Sequence, residues 1–166
     1  DIRGLHVREE HVREALRLAE ESSPDFEEGA VGAGTGMCCL GFKGGIGSAS
    51  RCVELDGCEY TIGALVLSNF GEEGNLVIGG RHYGSELLPK VKERLKSDID
   101  SSLAKDKGSI IMLIATDIPL SSRQLERVAN RAAIALGRAG SYMGNGSGDI
   151  AIAFSTANRI KVLQRT

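Results

Sequence analysis

No stretch of the chain stays apolar for anything near the ~20 residues that a helix needs to cross a bilayer, so no membrane partner is expected. No basic stripe or tail stands out and the formal net charge is −2, which argues against nucleic acid as a partner. The three histidines, His6, His11 and His82, lack metal-ligand spacing and read as surface or packing residues. No metal and no cofactor is expected. Four cysteines are present, but Cys38 and Cys39 are adjacent, and the set with Cys52 and Cys58 makes neither a metal knuckle nor a redox pair. In apolar, strand-like surroundings they read as buried, reduced core residues. A reducing, cytoplasmic compartment follows from that reading. The opening Asp1-Ile2-Arg3-Gly4 does not read as a signal peptide. Tryptophan is absent and aromatics amount to only 4%.

The excess lies in glycine, 22 of 166 residues, gathered in a few loops. Such clusters suit tight turns and close backbone approach. Apolar residues make up 42% and charged residues 25%, the balance of a globular domain long enough to bury a core. Periodicity predicts a helix over about Glu9–Glu21, with Val12, Ala15, Leu16 and Ala19 on one face. A glycine-dense stretch, Gly29–Gly47, encloses the short apolar run Met37–Leu40. Two strands, about Ser50–Leu55 and Tyr60–Leu67, are joined at Asp56-Gly57, a hairpin-turn pair. A short strand near Leu76–Ile78 and a helix over Ser85 to about Leu103 follow, then a solvated turn at Lys105–Gly108. Ser109–Ala115 reads as a buried strand. Ser122–Arg138 is the clearest helix, with Ser121 and Gln124 as a capping box and Gly137 and Gly140 at its end. Gly144–Gly148 is a loop and Ile150–Phe154 a strand leaving it. Helices and strands mix in one unit, an α+β pattern over residues 1–166.

The loop Gly144-Asn145-Gly146-Ser147-Gly148-Asp149 holds the candidate chemistry. A serine hydroxyl is a poor nucleophile without a base. One solution makes the serine N-terminal, so that its own α-amine, with a pKa of about 7.7–8, is the base. The serine must then first attack the preceding carbonyl, and Gly146 has no Cβ to obstruct that attack. The nucleophile elbow Gly-x-Ser-x-Gly does not fit, because Asn145 and Asp149 occupy the glycine positions. By itself the stretch reads more readily as a Gly-Ser turn entering a strand.

The surrounding motifs weigh against the plain turn. Gly32-Ala33-Gly34-Thr35-Gly36-Met37, then Gly41-Phe42-Lys43-Gly44-Gly45-Ile46-Gly47-Ser48-Ala49-Ser50-Arg51, resembles the signature of the DmpA-type aminopeptidases. These are the L-aminopeptidase/D-amino acid esterases, a group that includes β-peptidyl aminopeptidases. Ser68-Asn69-Phe70-Gly71, Asp117-Ile118-Pro119-Leu120 and Gly146-Ser147-Gly148-Asp149 with Ala153-Phe154-Ser155-Thr156 resemble further family segments, in the family's order. The resemblance implies an αββα layered sandwich. It also implies self-cleavage between Gly146 and Ser147, Ser147 as nucleophile and Asn69 as an oxyanion donor. Peptides, amides or esters are the implied substrates, and a homo-oligomer of processed α and β chains the implied assembly. The family's chains are longer on both sides. A family tyrosine upstream and a serine and glutamate downstream have no counterpart here, so residues 1–166 are expected to be the central part of a larger catalytic domain.

Other features admit plainer readings. Gly32-x-Gly34-x-Gly36 lacks the dinucleotide spacing, and Lys43 precedes Gly44-Gly45 rather than following a phosphate-loop glycine. The stretch reads as backbone packed beneath the site. Asp149, with Gly148, is a candidate for holding the substrate ammonium; orienting the loop, capping a turn, or pairing with Arg51 or Arg159 are the alternatives. Rival functional classes are an ornithine acetyltransferase-like acyltransferase, whose nucleophile is a threonine, and a non-catalytic domain retaining the fold.

Overall fold

A computed structural model describes residues 2–21, 25–95 and 108–159. The first helix, α1 (Glu9–Glu20), is laced by ion pairs Glu9–Arg13, Glu14–Arg17 and Arg17–Glu21. Its predicted apolar stripe is present but uncovered, with no residue of the helix buried. With nothing among the described residues covering it, the helix is held by these local pairs, which are solvent-screened and individually weak, and not by packing. Two short strands, β1 (Cys38–Cys39) and β2 (Phe42–Lys43), form a small ribbon.

The main sheet has four strands in the order β3-β4-β7-β8. Strands β3 (Gly45–Leu55) and β4 (Cys58–Asn69) form a long antiparallel hairpin. Asp56 and Gly57 both have positive φ, 52° and 76°, the conformation of the two-residue turn whose twist matches its flanking strands. After β4 come a small hairpin, β5 (Val77–Ile78) and β6 (Arg81–His82), and helix α2 (Gly84–Leu95). Strand β7 (Ser109–Thr116) runs antiparallel to β4. Helix α3 (Ser122–Ala139) then crosses one face of the sheet, so that β8 (Ile150–Ser155) lies parallel to β7.

The core sits between α3 and the sheet. Leu40, Phe70, Ile110, Met112, Ala132 and Leu136 are buried together there. Leu125, Val128, Ala129 and Ala133, the rest of the predicted stripe, are half-buried. Strand alternation turns the other side chains to the opposite face. Leu65, Ile111, Ile150, Ile152 and Phe154 remain exposed on it. A shallow groove of about 480 Å³ on that face is lined by Phe26, Ser48, Leu65, Leu113 and Phe154, among others. One helical layer on one β layer is thus what the described residues build.

Three expectations need correction. The β3–β4 hairpin is longer than its apolar runs predicted. Gly45-Ile46-Gly47-Ser48-Ala49 has little side chain to signal a strand, and its pairing with Ala64–Ser68 makes it one. The cysteines are free, but Cys38, Cys52 and Cys58 are exposed and Cys39 half-buried. Cys52 and Cys58 lie toward the hairpin tip and Cys38 in the small ribbon. The helix predicted from Ser85 is described to Leu95; its continuation, and Lys105–Lys107 of the predicted turn, lie outside the described residues.

Candidate active site

The end of α3 sets up the loop of the candidate nucleophile. The helix starts with the predicted capping box, in which Ser121 N–H donates to Gln124 Oε1 at 2.9 Å. It stops at Gly140, which is left-handed with φ 106° and donates its N–H to the carbonyls of Gly137 and Leu136. Met143 also takes a left-handed φ of 49°, a conformation costly for a residue with a Cβ. A turn then closes as Ser147 N–H donates to Gly144 O at 3.0 Å. Gly146 is exposed while Ser147 and Asp149 are half-buried.

Sheet register fixes what faces this turn. Asn69, the last residue of β4, pairs with Ser109, the first of β7. The β7–β8 register begins with Ile111 opposite Ile150. Just ahead of it, Gly148 N–H donates to Gly108 O at 3.2 Å and to Ser109 Oγ at 3.3 Å. Asn69, Ser109 and Gly148 therefore lie abreast at one end of the sheet, with Ser147 adjoining. Gly108 has to be a glycine here, because a Cβ on it would stand 2.4 Å from Asn69 O.

The glycine-rich stretch packs against the same end. Cys38 N–H donates to Asn69 Oδ1 at 3.0 Å. That bond holds the amide by its oxygen and leaves the Nδ2 hydrogens as the available donors. Lys43 holds the loop in turn: its ammonium donates to Gly34 O, Met37 O and Gly44 O at 2.8, 2.9 and 2.6 Å. A lysine with all three hydrogens on backbone carbonyls acts as a clasp, consistent with backbone packing rather than phosphate binding.

Asp149 is the polar partner of the candidate nucleophile. Ser147 Oγ donates to Asp149 Oδ1 at 2.5 Å. Arg51 donates to Ser50 O and lies toward the opposite end of the sheet, where its register partner Ile62 pairs with Thr116. Burial pushes the Cys39 thiol up from its ordinary value, so that neighbouring sulfur is a poor rival nucleophile near neutrality. Among the described residues, no group of three or more His, Cys, Asp and Glu side chains is arranged to hold a metal. No described helix is long and apolar enough to cross a membrane.

Ser147, Gly146, Gly148 and Asp149 thus share one loop, and strand pairing brings Asn69 to it from nearly eighty positions earlier. Ser109 and Lys43 were not singled out for these tasks by sequence. The available signals were a polar residue opening an apolar strand and a lone lysine among glycines.

Residues 1–166 match the model of peptidase family S58. The chain is 47% identical over 163 residues to a beta-peptidyl aminopeptidase of Sphingosinicella microcystinivorans, covering 95% of this chain and 41% of that protein. Among solved structures, a protein of Pyrococcus horikoshii OT3 superposes with a TM-score of 0.80 at 56% identity, over 99% of this chain and 42% of that one. The L-aminopeptidase D-Ala-esterase/amidase of Ochrobactrum anthropi, described as a prototype for the serine aminopeptidases and a variant of the Ntn hydrolase fold, superposes with a TM-score of 0.79 at 44% identity. That match covers 100% of this chain and 42% of that one. The chain thus spans about two fifths of the length of these relatives. Its α+β layered fold is of the Ntn hydrolase kind.

Proposed function

Because the chain belongs to peptidase family S58, we propose that it is the central part of a self-processing serine aminopeptidase or amidase. The precursor opens its own Gly146–Ser147 bond. Ser147 then attacks the carbonyl of the substrate's first residue, with its new α-amine as base. The Asn69 amide donates to the oxyanion, and Gly148 and Asp149 flank the bound substrate. Peptides, amides or esters with a free amino terminus are the substrates, handled by a cytoplasmic homo-oligomer of processed α and β chains. The relatives named as a beta-peptidyl aminopeptidase and an L-aminopeptidase support this substrate class.

The observation that carries the reading is the register of Asn69, Ser109 and Gly148. It brings an amide donor, anchored through its oxygen by Cys38 N–H, to the end of the sheet where the candidate nucleophile emerges. A preorganised donor of this kind typically contributes ~2.7–4 kcal/mol to stabilising a developing oxyanion.

The test is N-terminal sequencing of the full-length protein after denaturing electrophoresis. We expect a new terminus beginning Ser147-Gly148-Asp149-Ile150-Ala151. Ser147→Ala should give one uncut chain without activity on amino-acid p-nitroanilides. A wild-type chain that stays whole and inactive would sink the reading, and persistent cutting in Ser147→Ala would assign the cut to another protease.

A further inference from the structure

Helix α3 ends beside a second feature at the same end of the sheet. A cavity of about 440 Å³ opens between its last turn and the β5–β6 hairpin. Its wall is joined to the candidate site. Ser141 and Tyr142, which line it, begin the loop that runs to Ser147. Tyr142 OH also donates to Glu72 Oε2 at 3.3 Å, and Glu72 follows Asn69 closely in the chain. We propose that this cavity is an anion subsite, in which Arg138 and His82 hold the C-terminal carboxylate of a short peptide substrate. The role rests on the aminopeptidase reading above and adds to it a preference for free peptide acids.

The charge of the lining is one-sided. Arg138 and His82 line the cavity, and no described aspartate or glutamate does. Among the described residues, none takes either side chain in a hydrogen bond or ion pair. A guanidinium stays charged and presents paired N–H groups that match a carboxylate. An imidazole keeps an N–H donor in either charge state. Ser141 Oγ accepts Met143 N–H at 3.1 Å, which leaves its hydroxyl hydrogen to donate. An anion beside a helix C-terminus ordinarily meets unsatisfied carbonyls. Here Gly137 O and Leu136 O accept from Gly140 N–H, and Leu136 O also from Ser141 N–H at 3.0 Å.

Gly137 is the independent sign that the space is kept open. It belongs to the last turn of α3, where alanine would hold the helix better. No local cause requires it: its φ is not positive, and a Cβ there would meet nothing within 4 Å. Yet it lines the cavity, so a side chain at this position would narrow it. Gly79 and Gly80 line it from the hairpin, and a Cβ on either would also meet nothing within 4 Å. A cation in the last helical turn suits the dipole of any helix. The dipole explains neither the bare glycine at 137 nor the histidine on the facing hairpin.

The test uses the full-length enzyme and short peptides supplied in pairs, each as the free acid and as the C-terminal amide, with L, D and β first residues. The readout is the ratio of kcat/KM for acid over amide, with melting curves to confirm folding. One hydrogen bond to a charged group corresponds to roughly 10-fold or more, so wild type should favour the acids by at least that factor. Arg138→Gln should bring the ratio close to one, and Arg138→Lys, which keeps the charge, should retain part of it. Gly137→Leu, which fills the cavity without touching a charge, should also lower the ratio without lowering the melting temperature. A wild type that cleaves acids and amides equally well overturns the proposal. So does a folded Arg138→Gln enzyme with an unchanged ratio. An enzyme that cleaves neither form defeats the aminopeptidase reading, and the subsite with it.

Discussion

Lys43 shows how one side chain can govern a site that it does not touch. Its ammonium ties Gly34, Met37 and Gly44 together, and the residue after Met37 supplies the N–H that holds Asn69. Lys43→Met keeps the stem and removes the three bonds. Because the residue is largely exposed, we expect a loss of only about 1 kcal/mol in chemical denaturation. The larger expected effect is a fall in turnover with substrate affinity little changed, measured as kcat against KM, because Asn69 would lose its fixed orientation. At this scale Ser147, Gly146 and Asn69 could be picked out as candidates, since each belongs to a contiguous run of distinctive residues. Lys43 and Ser109 could not, because their partners are set by loop closure and strand register, which spacing along one chain does not report. Asp149 was legible as a candidate but not in its contact, which depends on which way an extended segment faces.

Helix α3 and strands β7 and β8 position the candidate nucleophile, and their shared packing is where the site is most exposed to damage. Leu136 is 5% exposed and lies in the last turn before the Gly140 stop. Leu136→Ala should cost ~2–5 kcal/mol, read as a lower midpoint in denaturant. Helix α3 was legible to within a residue, because its apolar stripe, capping box and terminal glycine agree with one another. The start of β3 was not, because glycine, serine and alanine carry little strand signal and the pairing with β4 decides. The same limit explains the cysteines: apolar neighbours suggested burial, whereas Cys52 and Cys58 sit where the hairpin extends past its pairing with β7.

For the molecule as a whole, one sheet face is covered and the other displays Leu65, Ile111, Ile150, Ile152 and Phe154. The chain spans about two fifths of the length of the relatives it matches. The α+β class was legible from the alternation of element types. The one-sided packing was not, because alternating apolar residues on both faces of β7 read simply as a buried strand.

The parallel pairing of β8 with β7 has a consequence for the protein's life after processing. Six register pairs, Ile111–Ile150 through Thr116–Ser155, join β7, which precedes the Gly146–Ser147 bond, to β8, which follows it. Once the proposed cut is made, covalent continuity ends there but the ladder does not. The two pieces should migrate as one species in native mass spectrometry and part only in denaturant. The loss is felt on the way back. A precursor such as Ser147→Ala refolds with its last strand on a tether, at high effective concentration. The cut protein must find that strand by collision, so its refolding yield should rise with protein concentration while the precursor's does not. Self-cleavage would then act as a one-way gate, in which the fold is learned as one chain and kept as two.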